Sequence, residues 1–172
     1  MLDQTIARVQ PEEPRFRHSI AMAEVQNPLL LTGLALWRRQ KGNDRFPSRA
    51  AMSPRLLAGL LRNTILVRVT DGDFQFRIVG DAVVTAQGAS YQGMTTRQID
   101  AIVPGYGRML GKVYRHISDA GEPSAYRGWF VRSADGRSFF HESIGLPLGE
   151  NGNVDHLLIF GVYAYNHDQA LG

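Results

Sequence analysis

Two hydrophobic periods organise this chain. Apolar residues recur at helical spacing first, and at strand spacing after residue 63. Asn27 followed by Pro28 predicts a helix start, because Asn caps and Pro is tolerated at the first helical position. That helix runs through Leu34 and Trp37 to about residue 40, and Gly42 ends it. Ser53-Pro54 predicts a second helix by the same logic, with Leu56, Leu57, Leu60 and Leu61 on one face. From Thr64 the period is 2. Ile65, Val67 and Val69 alternate, Asp71-Gly72 supplies a turn, and Phe74, Phe76 and Ile78 alternate back. The residues at 64–80 therefore predict an antiparallel hairpin whose other face carries Leu66, Arg68, Gln75, Arg77 and Val79.

The stretch 80–98 is glycine-punctuated and locally helical. A longer helix is expected over 103–120, with Met109, Leu110, Val113, Tyr114 and Ile117 as its apolar stripe. Gly121 and Pro123 close it. Strands at 125–132, 138–148 and 154–165, joined by Asp135-Gly136 and by 150–153, predict a three-stranded meander. Residues 1–26 read as a flexible arm and 166–172 as a loose tail, leaving 27–165 as one domain. The expected class is α+β, a five-stranded antiparallel sheet with helices on one face and an N-terminal helical extension. The mixed outer face, Leu66 and Val79 beside arginines, requires cover by the N-terminal helix or by a second subunit. A homodimer through the helix at 28–40 is the expected consequence.

Charge changes the picture in one place. Net charge is +3, and all but Lys41 and Lys112 of the 19 basic residues are arginine. Arg38, Arg39, Lys41, Arg45, Arg49, Arg55 and Arg62 face a single acid, Asp44, within 38–62. This segment opens an alternative function, a nucleic-acid or nucleotide-binding protein. The most apolar run, 28–37, is about half of the roughly 20 residues that span a membrane. The acids Asp3, Glu12 and Glu13 argue against a secretory signal. A cytoplasmic protein is expected. Cysteine is absent, which excludes disulfides, a thiolate zinc site and a cysteine nucleophile.

The candidate chemistry is sparse. No G-x-S-x-G, P-loop or H-E-x-x-H is present. The histidines, His18, His116, His141, His156 and His167, include no pair at metal-ligand spacing. Alternation places His141 and Ser143 on one strand face and Glu142 on the other, so Glu142 cannot orient His141. Trp129 shares its face with Arg127, opposite Tyr126 and Phe130. A small α+β enzyme with a buried polar pocket around His141 remains the second alternative.

The order helix, helix, β-β, short helices, longer helix, β-β-β is that of PAS domains. Trp37, Arg45-Phe46-Pro47-Ser48-Arg49, Met52-Ser53-Pro54 and Leu60-Leu61 resemble the entry to a bacterial PAS-like family. Phe76-Arg77-Ile78-Val79-Gly80, Gly88, Gly93 and Leu146-Pro147-Leu148 extend the resemblance over roughly 30–165. It implies a non-catalytic sensory or regulatory domain, frequent dimerisation, a signalling partner protein and a small-molecule pocket between sheet and helices. No particular cofactor follows from it. The ligand contacts expected are Arg77, Tyr114, Trp129, His141 and Ser143, with His116 added because some PAS domains bind haem through a histidine on this helix. Without cysteine, the flavin photochemistry that needs a cysteine adduct is excluded.

Overall fold

Where the period changes, at Thr64, the chain enters its sheet. The computed structural model describes residues 15–132 and 135–165. The elements among these residues are β1 (Arg15–Ile20), α1 (Pro28–Lys41), β2 (Thr64–Thr70), β3 (Asp73–Val79), α2 (Asp81–Gln87), α3 (Thr96–Ile102), α4 (Tyr106–Ala120), β4 (Ser124–Val131), β5 (Ser138–Glu150) and β6 (Asn153–Tyr165). The strands form one antiparallel sheet in the order β1-β4-β5-β6-β2-β3. The helical segment between β3 and β4 crosses one face, which lets β6 lie beside β2. The last hairpin turns on Asn151 (φ 53°) and Gly152 (φ 75°), the pair of left-handed residues that a tight type I′ turn needs.

The class is α+β, as the pattern predicts, with six strands rather than five. The added strand, β1, comes from the stretch expected as an arm, and it pairs with β4. The other arm residues, 1–14, and the tail, 166–172, lie outside the described residues.

Both faces of the sheet are covered, the outer one by the N-terminal helix, the first of the two covers expected for it. On the inner face, α2, α3 and α4 bury Val83, Ile99, Leu110, Tyr114 and Ile117 against Val67, Phe76, Leu157 and Ile159. On the outer face, α1 lays Leu30, Leu34 and Trp37 over Ile144, Leu146, Leu158 and Phe160. Asn27 accepts the Leu29 N–H at 2.9 Å and starts this helix. Each such buried side chain contributes about 1.5–3 kcal/mol of transfer free energy. Trp37 also donates its indole N–H to the Pro147 carbonyl at 2.9 Å, which sets the height of α1 over β5. The apolar side of α1 and the outer sheet face thus cover each other within one chain. What they leave for a second subunit is Leu31, 42% exposed, with Ala35, Arg38 and Arg39 on α1, and half-buried Trp129 and Phe140 on the sheet.

The second helix expected at 53–62 is a series of turns ending in a short 3₁₀ segment, Leu61–Asn63. Leu57 N–H bonds back four residues to Ser53, but Leu60 N–H bonds back three to Leu57. Gly59 also weakens any helix here. Leu57 and Leu60 are buried even so. The longer helix begins at Tyr106, not 103, since Pro104 and Gly105 (φ 85°) separate it from α3.

The hairpin contains one further departure. Leu66 pairs with Ile78 but Val67 pairs with Phe76, so Arg77 is an extra residue, a β-bulge. Strict alternation put Ile78 with Phe74 and Phe76. The bulge turns Ile78 to the α1 side and Val79 to the inner side.

At the start of β3, Asp73 ties the hairpin to α3. Its carboxylate accepts the Thr96 hydroxyl and, at 2.7 Å, the Phe74 N–H. Burial pushes the Asp73 carboxyl up, but the bonds from Thr96, Phe74, Thr95 and Arg97 outweigh it and hold it below 3.8. A carboxyl depressed by folding stabilises above its unfolded pKa and loses that contribution as pH falls through the folded one. Thermal stability is therefore expected to fall on acidification below about pH 4, and less steeply in Asp73→Asn. Melting curves between pH 2 and 6 check this.

Candidate functional site

The inner face holds a small enclosed cavity of about 20 Å³, enough for one water. The sheet supplies its floor. Ser143 and Gly145 come from β5, Tyr126 from β4, Ile65 from β2, and Ile159 and Tyr163 from β6. Period-2 alternation puts Ser143 and Gly145 on the same side as Tyr126, and antiparallel pairing sets Tyr126 opposite Ser143. The roof comes from α4, where Tyr106, Leu110, Val113, Tyr114 and Ile117 repeat at helical spacing, and from Gln87 at the end of α2.

Two glycines keep the floor low. A Cβ at Gly145 would lie 2.4 Å from Ile117 Cδ1, and one at Gly161 would lie 2.5 Å from the Tyr163 hydroxyl. Both side chains occupy that space instead and fill most of the gap between sheet and helix. Tyr114 is wedged between Phe74 and Phe76, with ring centroids 5.7 and 5.9 Å away. Edge-on and tilted geometries of this kind orient aromatic rings.

The polar side chains lining the cavity are Gln87, Ser143, Tyr106, Tyr114, Tyr126 and Tyr163. Gln87, 6% exposed, donates from Nε2 to the Tyr106 hydroxyl at 2.9 Å, and its Oε1 has no partner among the described residues. An amide end left bare in the interior costs about 1–3 kcal/mol. No carboxylate lines the cavity.

The six residues singled out from the sequence divide. Tyr114 and Ser143 line the cavity. His141 is buried one step along β5, its ring 6.0 Å from Phe130. Its Nδ1 lies 3.0 Å from the Gly128 carbonyl, which can only accept, so Nδ1 carries the proton. Glu142 is on the opposite face as alternation requires, where Arg127 grips it from Nε and Nη2 at 2.9 and 2.8 Å. His141 and Glu142 thus form no acid–base pair.

The other three lie elsewhere. Trp129 is on the outer face against Phe140, 5.1 Å between centroids. Arg77 is exposed at its bulge and donates weakly to Gln75 at 3.4 Å. His116 is exposed on α4, turned from the cavity by its position off the apolar stripe. No group of three possible metal ligands occurs among the described residues. Sequence reading missed Gln87, Tyr106, Tyr126 and Tyr163. Tyr126 and Tyr163 were legible from alternation against Ser143, whereas nothing local marks Gln87 as buried.

A family model for the PAS domain matches residues 26–162. The chain belongs to the PAS domain family.

Among solved structures, this PAS domain is similar to an RNA-binding light-oxygen-voltage receptor, at 15% identity and a TM-score of 0.50. That match covers 91% of this chain and 40% of the other, so the chain spans well under half of its length. A light-oxygen-voltage domain studied with a flavin analogue matches at 15% identity over 65% of this chain and 84% of that one, TM-score 0.47. The light-state Aureochrome1 domain matches at 14% over 70% and 94%, TM-score 0.44. At 15% identity the match to the RNA-binding receptor shows the fold alone. No curated protein matches. PAS domains are generally sensory and signalling modules. Among the described residues, no helix is long and apolar enough to cross a membrane.

Proposed function

We propose that this PAS domain is a non-catalytic sensory module, acting in the cytoplasm, that takes a small molecule between sheet and α4 and reports it to a partner protein. The observation that carries the reading is Gln87. With Tyr106 holding one end of its amide, the other end is open to a hydrogen-bonding ligand. Tyr114 and Ser143 are the contacts from roof and floor. A cavity of about 20 Å³ is far smaller than the roughly 300 Å³ or more that drug-sized ligands fill. Binding therefore displaces Val113 and Ile117 and moves α4, which couples occupancy to the surface of that helix. The absence of cysteine suits a ligand held without covalent attachment.

Native mass spectrometry of freshly purified protein tests this. A non-covalent adduct is expected, and Gln87→Leu should lose it. The same variant removes an unsatisfied buried amide, so the empty protein should melt within about 3 °C of wild type or above it. A bare mass, with no compound in a metabolite library raising the melting temperature, would sink the reading. A homodimer through α1 uses what that helix leaves outward around Leu31, and light scattering of Leu31→Glu beside wild type tests that contact.

A further inference from the structure

A concentration of cations around a concave surface stands apart from the exposed Arg38, Arg39, Arg49, Arg55 and Arg62 of 38–62. It lies between the β2–β3 turn, α3 and α4, in a groove of about 400 Å³. We propose that this groove binds a phosphate-bearing anion of di- or triphosphate size.

Three observations carry this. The first is charge. Arg97, Arg108, Lys112 and Arg115 line the groove, against Asp73 and Asp100. Residues 108, 112 and 115 fall on one stripe of α4. The acids are already committed. Asp73 takes the Thr96 hydroxyl and the Phe74 N–H. Asp100 takes the Arg108 N–H at 2.9 Å and its Nε at 3.3 Å.

The second is the free state of the cations on the far wall. Lys112 has no ion pair or hydrogen bond among the described residues. Arg115 rests over the Phe74 ring at 5.7 Å, and no hydrogen bond occupies its guanidinium among the described residues. Arg97 stands 3.9 Å from Asp73 and gives one bond to the Gly72 carbonyl at 3.2 Å. Like charges gathered in a concavity repel, and an anion among them is attracted by all. Arginine forks and a lysine point charge are the usual phosphate donors.

The third is Gly111, in the interior of α4. Glycine there costs about 1 kcal/mol relative to alanine. A Cβ at Gly111 would meet nothing closer than Thr96 Oγ1 at 3.5 Å, so helix packing does not demand the glycine. What its missing side chain does is leave the groove open above Thr96.

Calorimetric titration with inorganic pyrophosphate and triphosphate at low salt tests the proposal. Saturable binding is expected, weakened at least tenfold in Lys112→Ala/Arg115→Ala. Gly111→Leu should abolish it while the melting temperature holds or rises, which separates a filled groove from a lost fold. Arg38→Ala/Arg39→Ala removes the same charge elsewhere and should leave affinity within twofold. Adenosine triphosphate should bind no more than a few-fold tighter than triphosphate, because no aromatic side chain lines the groove to stack a base. The proposal is overturned if binding is not saturable, if Gly111→Leu binds as wild type does, or if both double variants lose affinity alike. It is equally overturned if single-stranded oligonucleotides bind and pyrophosphate does not, since that outcome assigns the face to an extended nucleic acid.

Discussion

Trp37→Ala is expected to lower the unfolding free energy by about 3–5 kcal/mol and the melting temperature by roughly 10 °C. Trp37 is 3% exposed and sits where α1 crosses the outer face of the sheet. Its truncation removes the largest side chain that α1 contributes, and leaves a cavity that Leu34, Phe46 and Leu148 cannot fill without moving. It also removes the N–H donor to the Pro147 carbonyl. Trp37→Phe separates the two effects. It keeps most of the buried area and loses only the hydrogen bond, so about 1–3 kcal/mol is expected. Equilibrium urea unfolding measures both. If Trp37→Ala unfolded with the wild-type midpoint, α1 would be an appendage and not the second layer of the domain.

The second large effect concerns two glycines one helical turn apart with opposite signs. Gly107→Ala should destabilise by about 1–3 kcal/mol although alanine is the better helix former. Its Cβ would lie 1.9 Å from the Thr96 carbonyl oxygen and 2.5 Å from the Asp100 nitrogen. Both atoms are backbone, so α3 and α4 must separate. Because α4 carries Tyr106, Leu110 and Tyr114, the cavity roof moves with it. Gly111→Ala should stabilise by up to about 1 kcal/mol, since its Cβ makes only an ordinary contact with Thr96 Oγ1 at 3.5 Å. Urea midpoints of the two variants, measured beside wild type, give the comparison. Equal shifts in the same direction would remove the close α3–α4 approach as a determinant of the fold.

The inner side of the structure was largely legible because amphipathic patterning is a local signal. The alternation in 64–80 and the stripe Leu110, Tyr114 and Ile117 each record which way a side chain faces, and that is set by backbone period alone. Tyr114 and Ser143 were reachable as cavity residues for this reason. The bulge at Arg77 was not legible, and it reverses the facing of Ile78 and Val79 after it. Ile78 and Val79 are both apolar, so the sequence carries no trace of the reversal. The stretch 53–62 has helical spacing of its leucines but takes mixed turns, since packing on the outer face rewards burial of Leu57 and Leu60 in either geometry.

The sequence by itself determined the order of elements from β2 to β6, the hairpin and meander, the start of α1 at Asn27-Pro28, and the separation of His141 from Glu142. Each depends on periods and caps that span a few residues. Only the tertiary structure decided what covers the outer face, that β1 joins β4, that Gln87 is enclosed, and that Arg97 on α3 meets Arg108, Lys112 and Arg115 on α4. These depend on residues far apart in the chain meeting across the sheet or between helices, and no local pattern encodes such a meeting.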